Sequence, residues 1–107
     1  MNYMLKELLK LLEKDPENAL LRFSIGSAYL KENDLEQAKL HLAKSVQLDP
    51  QYSAAWKMYG KTLQQNGDVE LAQEVLNKGI EIATEKGDIQ AAKEMQVFLK
   101  RLLKDKR

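Results

Sequence analysis

The chain repeats itself with a period of 34 residues, and this spacing limits the possible folds more than any other feature. Identical residues recur 34 positions apart in six pairs, which are Gly26 and Gly60, Asp34 and Asp68, Glu36 and Glu70, Ala38 and Ala72, Leu42 and Leu76, and Lys44 and Lys78. Pro16 and Pro50 share a phase as well. A period of this length indicates one supersecondary unit stacked on copies of itself, each covering its neighbour's apolar face. It favours a scaffold that binds partners over an enzyme.

Composition excludes several other classes of protein. A chain of 107 residues can bury roughly two thirds of its unfolded surface, which is enough for one domain. The absence of cysteine excludes a disulfide framework, a thiolate metal site and a cysteine nucleophile. A net charge of +1 creates no global field that would attract nucleic acid or a membrane. The apolar runs are far shorter than the ~18 residues that indicate a spanning helix, and the charged N-terminus does not fit a signal peptide. We therefore expect a cytoplasmic protein.

The spacing of apolar residues predicts an almost entirely helical chain, divided by Asp-Pro and Gly-Asp steps. The predicted helices cover the segments 2–14, 17–31, 35–48, 53 to the turn at 67, 69–84 and 88–104. Asp34, Ser53 and Asp68 are the predicted N-caps. Gly79 lies inside the fifth helix, where glycine costs ~1 kcal/mol relative to alanine. A neighbouring helix is therefore expected to pack against it.

The pattern as a whole resembles the tetratricopeptide repeat (TPR) family, and in particular its short bacterial members. The second repeat carries the family's signature at Trp56, Gly60, Leu63, Gly67, Asp68, Ala72 and Leu76. The first carries it at Gly26, Tyr29, Asp34, Ala38, Leu42 and Pro50. Arg22 stands where the leading aromatic residue belongs, and Met4 takes the alanine place of an earlier second helix.

The resemblance implies an all-α fold, a right-handed superhelix of antiparallel helix pairs forming a single domain over residues 1–107. The predicted parts of this domain are a half-repeat at 2–16, full repeats at 19–50 and 53–84, and a C-terminal capping helix at 88–104. The capping helix is expected to be apolar on one face and charged on the other, because terminal repeats need a polar outer face.

No set of residues in the sequence fits a catalytic or metal site. His41 is the only histidine, and no second ligand stands three or four residues away, so a surface or half-buried helix residue is expected. Gly60-Lys61-Thr62 resembles the end of a phosphate-binding loop, but Ala55 stands where that motif needs a glycine. The acidic clusters supply too few oxygens for a calcium loop. We expect no enzyme activity, no metal and no cofactor.

In this family the first helix of each pair lines a concave face that binds peptides. The stripe left free by the packing positions predicts a lining of Phe23, Ser27, Leu30 and Lys31 from the first repeat and Ala54, Lys57, Lys61 and Gln64 from the second. Some of Lys93, Gln96 and Lys100 are expected to close this groove. An apolar half beside a cationic half favours a peptide with a hydrophobic anchor and an acidic residue or C-terminal carboxylate near Lys57 and Lys61. The lysine and asparagine of the family's carboxylate clamp are replaced by Phe23 and Ser27, so that clamp is not predicted.

Two other functions stay open. The leucine-rich segment 2–14 could meet a second copy and form a homodimeric scaffold unit; its charges are balanced, so membrane binding is not expected. The segment from Lys93 to Arg107 has six positive and two negative residues, and could bind RNA through phosphate contacts. It offers no aromatic residue on its charged side for base stacking.

Overall fold

The structure, a computed structural model, describes residues 2–105, which form six α-helices and no strand. The helices are α1 (Tyr3–Lys14), α2 (Ala19–Lys31), α3 (Leu35–Leu48), α4 (Ser53–Gln65), α5 (Val69–Lys86) and α6 (Ile89–Asp105). The predicted all-α class is confirmed. The fifth helix is longer than expected, since it runs past residue 84 to a left-handed stop at Gly87.

Polar side chains cap four of the helices. Asp34 accepts a hydrogen bond from the Gln37 amide at 3.2 Å, as predicted, and Asp88 accepts one from Ala91 at 3.3 Å. Two asparagines serve the same purpose: Asn2 caps α1 and Asn18 caps α2. Each satisfies one of the amides that a helix N-terminus leaves unpaired.

Two predicted caps are wrong. Ser53 is the first residue of α4 rather than its N-cap, because the turn that places the Tyr52 amide on the Asp49 carbonyl starts the helix one residue earlier. The Asp68 side chain does not cap α5 either. Its Oδ2 instead accepts hydrogen bonds from Lys39 Nζ at 3.1 Å and Asn66 Nδ2 at 2.8 Å. The carboxylate therefore joins two repeats instead of closing one helix.

The glycines of the period provide close contact between helices. A Cβ on Gly26 would lie 2.6 Å from Leu42 Cγ, and one on Gly60 would lie 2.4 Å from Leu76 Cδ2. Both leucines are fully buried. Gly79 is covered in the same way, as predicted, by side chains of α4 and α6. These contacts pair α2 with α3 and α4 with α5, and they bring α5 against α6.

Arg22 and Trp56 hold equivalent places in the two repeats. Trp56 Nε1 donates to the Pro50 carbonyl at 2.8 Å, and 34 residues earlier Arg22 Nε donates to the Pro16 carbonyl at 3.1 Å. The arginine thus replaces the aromatic residue with the same anchoring hydrogen bond. Its Nη1 also lies 3.2 Å from His41 Nδ1.

The expected surface or half-buried position of His41 is wrong. The side chain is buried beneath Arg22, and its ring stacks on Tyr29 with a centroid distance of 5.7 Å. Burial, followed by the charge of the neighbouring guanidinium, lowers the pKa of His41 below its ordinary value. The histidine belongs to the packing of α2 against α3.

Three helices form a row on one side of the molecule. α2 contacts α4, and α4 contacts α6, whereas no such contact joins α3 to α5 within residues 2–105. The stack therefore curves towards the side that carries α2, α4 and α6. This side is the concave face.

Candidate partner-binding groove

The helices of the concave row run in the same direction, because each is separated from the next by a helix that reverses the chain. Lys86 at the end of α5 reaches the Gln51 carbonyl just before α4, so these two helices are antiparallel. Phe23 near the start of α2 lies beside Tyr52 at the start of α4. The groove thus has one end formed by the helix N-termini and another formed by the C-termini.

An aromatic pair occupies the N-terminal end. The rings of Phe23 and Tyr52 have centroids 5.0 Å apart and planes tilted by 41°, a geometry that favours aromatic contact. Ala54 is half-buried next to Tyr52. Burial, with a smaller effect of Asp49, raises the pKa of Tyr52, which keeps its hydroxyl neutral at physiological pH. This end can contact an apolar side chain.

The two lysines predicted to meet a carboxylate differ in the structure. Lys57 is half-buried and already paired, with its Nζ 3.3 Å from Oε1 of Glu94 on α6. Lys61 lies one helical turn further and is also half-buried, but it has no hydrogen bond or ion pair among residues 2–105. Lys61 is therefore the cation of the pair that is ready to meet an external anion. Gln64 lies half-buried one turn beyond it.

The remaining residues from the first repeat are divided between surfaces. Leu30 packs against the core beneath α2. Ser27 and the exposed Lys31 line a cleft that opens towards α1. Ser27 Oγ is itself buried without a hydrogen-bond partner in the described part of the chain. These residues lie at the boundary between the groove and the α1 side of the molecule.

The last helix contributes charge rather than apolar surface. Lys93, Gln96 and Lys100 are exposed on α6, which fits the charged outer side expected of the last helix. Residues 106 and 107, which belong to the predicted basic C-terminus, lie outside the described residues.

Sequence reasoning missed Tyr52 and Glu94. Tyr52 was passed over as a turn residue after Pro50, and the 34-residue period gives no equivalent for it because Asn18 holds that phase. Glu94 could not be placed opposite Lys57 because the period breaks before α6. The alternation of apolar and charged residues in α6 was the available signal, and it fixes a face but not the partner of each charge.

Among residues 2–105, no group of three or more histidine, cysteine, aspartate or glutamate side chains could hold a metal ion. In the same range, no helix has the length and apolar character needed to cross a bilayer.

Comparison with known proteins identifies the repeat. A family model described as a tetratricopeptide repeat matches residues 29–95. A TPR repeat-containing protein from Pseudomonas aeruginosa is 46% identical over 99 residues, which cover 92% of this chain and 94% of the relative. The chain belongs to the tetratricopeptide repeat family. This family and its fold are generally those of non-catalytic modules for protein interaction.

Solved structures agree with this assignment. The solution structure of a protein from Bordetella parapertussis is 39% identical, with a TM-score of 0.84, and the match covers 98% of this chain and 91% of that one. The TPR2B domain of yeast Sti1, solved in a complex with pHsp70, has a TM-score of 0.89 at 17% identity. That match covers 94% of this chain and 81% of the Sti1 chain, and it demonstrates the shared fold.

Proposed function

We propose that the protein is a non-catalytic adaptor that holds a peptide segment of a partner protein in the concave groove of α2, α4 and α6. The observation that carries this proposal is Lys61, a half-buried cation in the groove with no counterion among residues 2–105. A desolvated charge without a partner favours an anion supplied by a ligand, because charge-assisted hydrogen bonds are stronger than neutral ones. The cytoplasmic location expected from the sequence stays a prediction.

The geometry of α4 suggests the spacing of the ligand. Ala54 beside the aromatic pair and Lys61 are seven residues apart, which corresponds to about 10 Å along a helix. An extended peptide covers that distance with about three residues. We therefore expect a motif with an apolar anchor followed, three residues later, by an acidic side chain or the C-terminal carboxylate.

The structural relatives support the class of ligand but not its identity. The Sti1 domain of the same fold was solved in complex with pHsp70, and repeat folds of this kind present concave surfaces for binding. One fold serves many unrelated partners, so the partner of this chain cannot be transferred from a fold-level likeness. Two full repeats offer at most roughly 600–800 Å² per partner, at the low end of specific interfaces, so micromolar affinity is expected.

The test is a selection from displayed random peptides with free C-termini, carried out on the wild type and on two charge-reversal variants. Lys61→Glu reverses the unpaired groove cation. Lys78→Glu makes the same change at an exposed position of α5, outside the concave row. Lys57 is left intact because its replacement by glutamate would repel Glu94 and disturb the contact between α4 and α6.

The proposal expects the wild type and Lys78→Glu to enrich the same peptides, with the predicted spacing of anchor and acid. Lys61→Glu should lose them. If all three proteins enrich the same peptides, or none enriches any, the assignment of the groove is wrong.

A further inference from the structure

The surface of α1 exposes apolar side chains at positions that the repeats bury. At the 34-residue spacing, Met4 corresponds to Ala38 and Leu11 corresponds to Ser45. Ala38 and Ser45 are 0% exposed beneath α2, whereas Met4 is 67% and Leu11 is 54% exposed. The difference arises because α1 has the phase of a second helix, and no first helix covers it within residues 2–105.

Next to these side chains lies a cleft between α1 and α2. It has two parts, with volumes of about 490 and 330 Å³, which meet at Ser24. Small side chains of α2, including Ser24 and Ala28, line it. Large apolar side chains stand at its edges, with Tyr3 78% and Leu20 62% exposed. The face therefore carries both projecting side chains and the hollow that could receive them.

These features favour a second copy of the chain over a helix of the type that precedes α1 in longer repeats. Within this chain, first helices approach closely because the facing positions are small, as at Ala38 and Ser45. Met4 and Leu11 would hold such a helix away. Two copies of the α1–α2 face can interdigitate instead, since a two-fold axis brings the projections of each copy to the hollow of the other.

The charges at the two ends of the face are complementary under the same two-fold operation. Exposed Lys14 and Asp15 lie at one end, and exposed Lys31 and Glu32 lie at the other. An antiparallel pairing of two α1 helices places each end of one copy on the opposite end of its partner. Each cation then meets an anion, and no like-charge block opposes association.

We infer that two copies of the protein associate through their α1–α2 faces in an antiparallel, two-fold arrangement. This surface is distinct from the concave groove, although Ser27 and Lys31 lie at the boundary of both. A 12-residue α1 is about 18 Å long, and two adjacent helices are roughly 20 Å wide. The face is therefore smaller than the ~800 Å² per partner of a standard interface. We expect a dimer with a micromolar dissociation constant.

Sedimentation equilibrium from about 5 μM to 1 mM tests the inference, with one substitution made at two matched positions. Leu11 on α1 and Leu40 on α3 are both exposed, by 54% and 55%. Leu11→Glu should raise the dissociation constant at least about tenfold, because each dimer would bury two unpaired carboxylates. Leu40→Glu should dimerise like the wild type.

Association without dependence on Leu11, or a wild type that stays at 12.3 kDa over the whole range, would overturn the inference. In the second case the face would be left to a helix of another protein.

A charge exchange tests the two-fold arrangement itself. Asp15→Lys and Lys31→Asp should each weaken the dimer several-fold, because each removes two inter-copy pairs and creates two like-charge contacts. The double variant Asp15→Lys/Lys31→Asp should recover the wild-type dissociation constant, since every pair is restored with its signs exchanged. If the double variant is instead as weak as the sum of its single changes, these ends do not meet and the proposed arrangement is wrong.

Discussion

Gly60 lies at the crossing of α4 and α5, where an alanine would place a methyl group inside the space of Leu76. A Cβ built on Gly60 lies 2.4 Å from Leu76 Cδ2 and 2.8 Å from Cγ, whereas carbon atoms in contact lie about 3.5–4.0 Å apart. Leu76 is fully buried, and its Cγ cannot move away unless the whole side chain moves. Gly60→Ala must therefore displace Leu76 or separate the two helices.

Two opposing effects set the size of the change. Alanine favours the helix over glycine by ~1 kcal/mol, and overpacking of a core costs about 1–3 kcal/mol. The upper part of that range applies to Gly60 because the overlap with Leu76 is about 1 Å. We expect Gly60→Ala to lower the free energy of unfolding by about 1–2 kcal/mol.

The sign should reverse when Leu76 is shortened. Leu76→Ala alone costs about 2–5 kcal/mol, through lost burial and the cavity that remains. In that background the new methyl group of Gly60→Ala enters the cavity without a clash, so the substitution should stabilise by up to about 1 kcal/mol. The coupling between the two positions is then about 2–3 kcal/mol, at the upper end for residues in contact.

Urea denaturation followed by circular dichroism measures the four proteins of this cycle. The propensity effect is calibrated in the same protein by Asn77→Gly and Asn77→Ala, since Asn77 is exposed in the middle of α5. The reasoning is refuted if Gly60→Ala changes stability by the same amount with Leu76 or Ala at position 76. A stabilised Gly60→Ala in the wild-type background would refute it as well.

Three further predictions concern the connections between the helices. Because burial lowers the pKa of His41 in the folded state, the unfolded chain binds the proton first. Stability should therefore be full above about pH 6.5 and be lost as the pH falls through the folded value; His41→Gln should flatten urea midpoints between pH 7.5 and 5, and an unchanged slope would contradict this. Gly67→Ala should cost about 1–2 kcal/mol because Gly67 has φ +81°, and an unchanged midpoint would exclude that backbone cost. The hydrogen bond from Asn66, followed by that from Lys39, lowers the pKa of Asp68, so Asp68→Asn should lower the urea midpoint at pH 7; equal effects at pH 7 and pH 2 would disprove an ionic role.

The fold could be predicted from the sequence because its determinants are local and periodic. Gly26 and Gly60 are read directly from the 34-residue spacing, and each accepts the leucine that stands 16 residues later. Left-handed turns at Gly67 and Gly87 are read in the same way, since glycine tolerates positive φ. Only Asn33 needed the structure, which gives it a φ of +61° at the phase of Gly67.

The errors concern side chains whose partners are distant in the sequence. Asp68 reads as a cap, but Lys39 lies 29 residues before it and draws the carboxylate to another helix. His41 has no ligand nearby and was assigned to the surface, although Arg22 covers it from α2. A helical pattern reveals which face a residue occupies, and it does not reveal what lies opposite.

The candidate site was predicted in outline rather than in chemistry. The stripe of Ala54, Lys57, Lys61 and Gln64 emerges from the periodicity of α4 because burial selects the opposite face. The difference between the two lysines depends on Glu94, whose position follows from the irregular spacing before α6.

The most direct test of the groove assignment is chemical-shift mapping of the 15N-labelled protein, titrated with an enriched peptide that carries the apolar anchor and the acid. The account predicts that the largest amide shifts fall on α2, α4 and α6, centred on Tyr52 and Lys61, and that they disappear in Lys61→Glu. Shifts centred on α3 and α5, or confined to α1, would contradict the proposed groove.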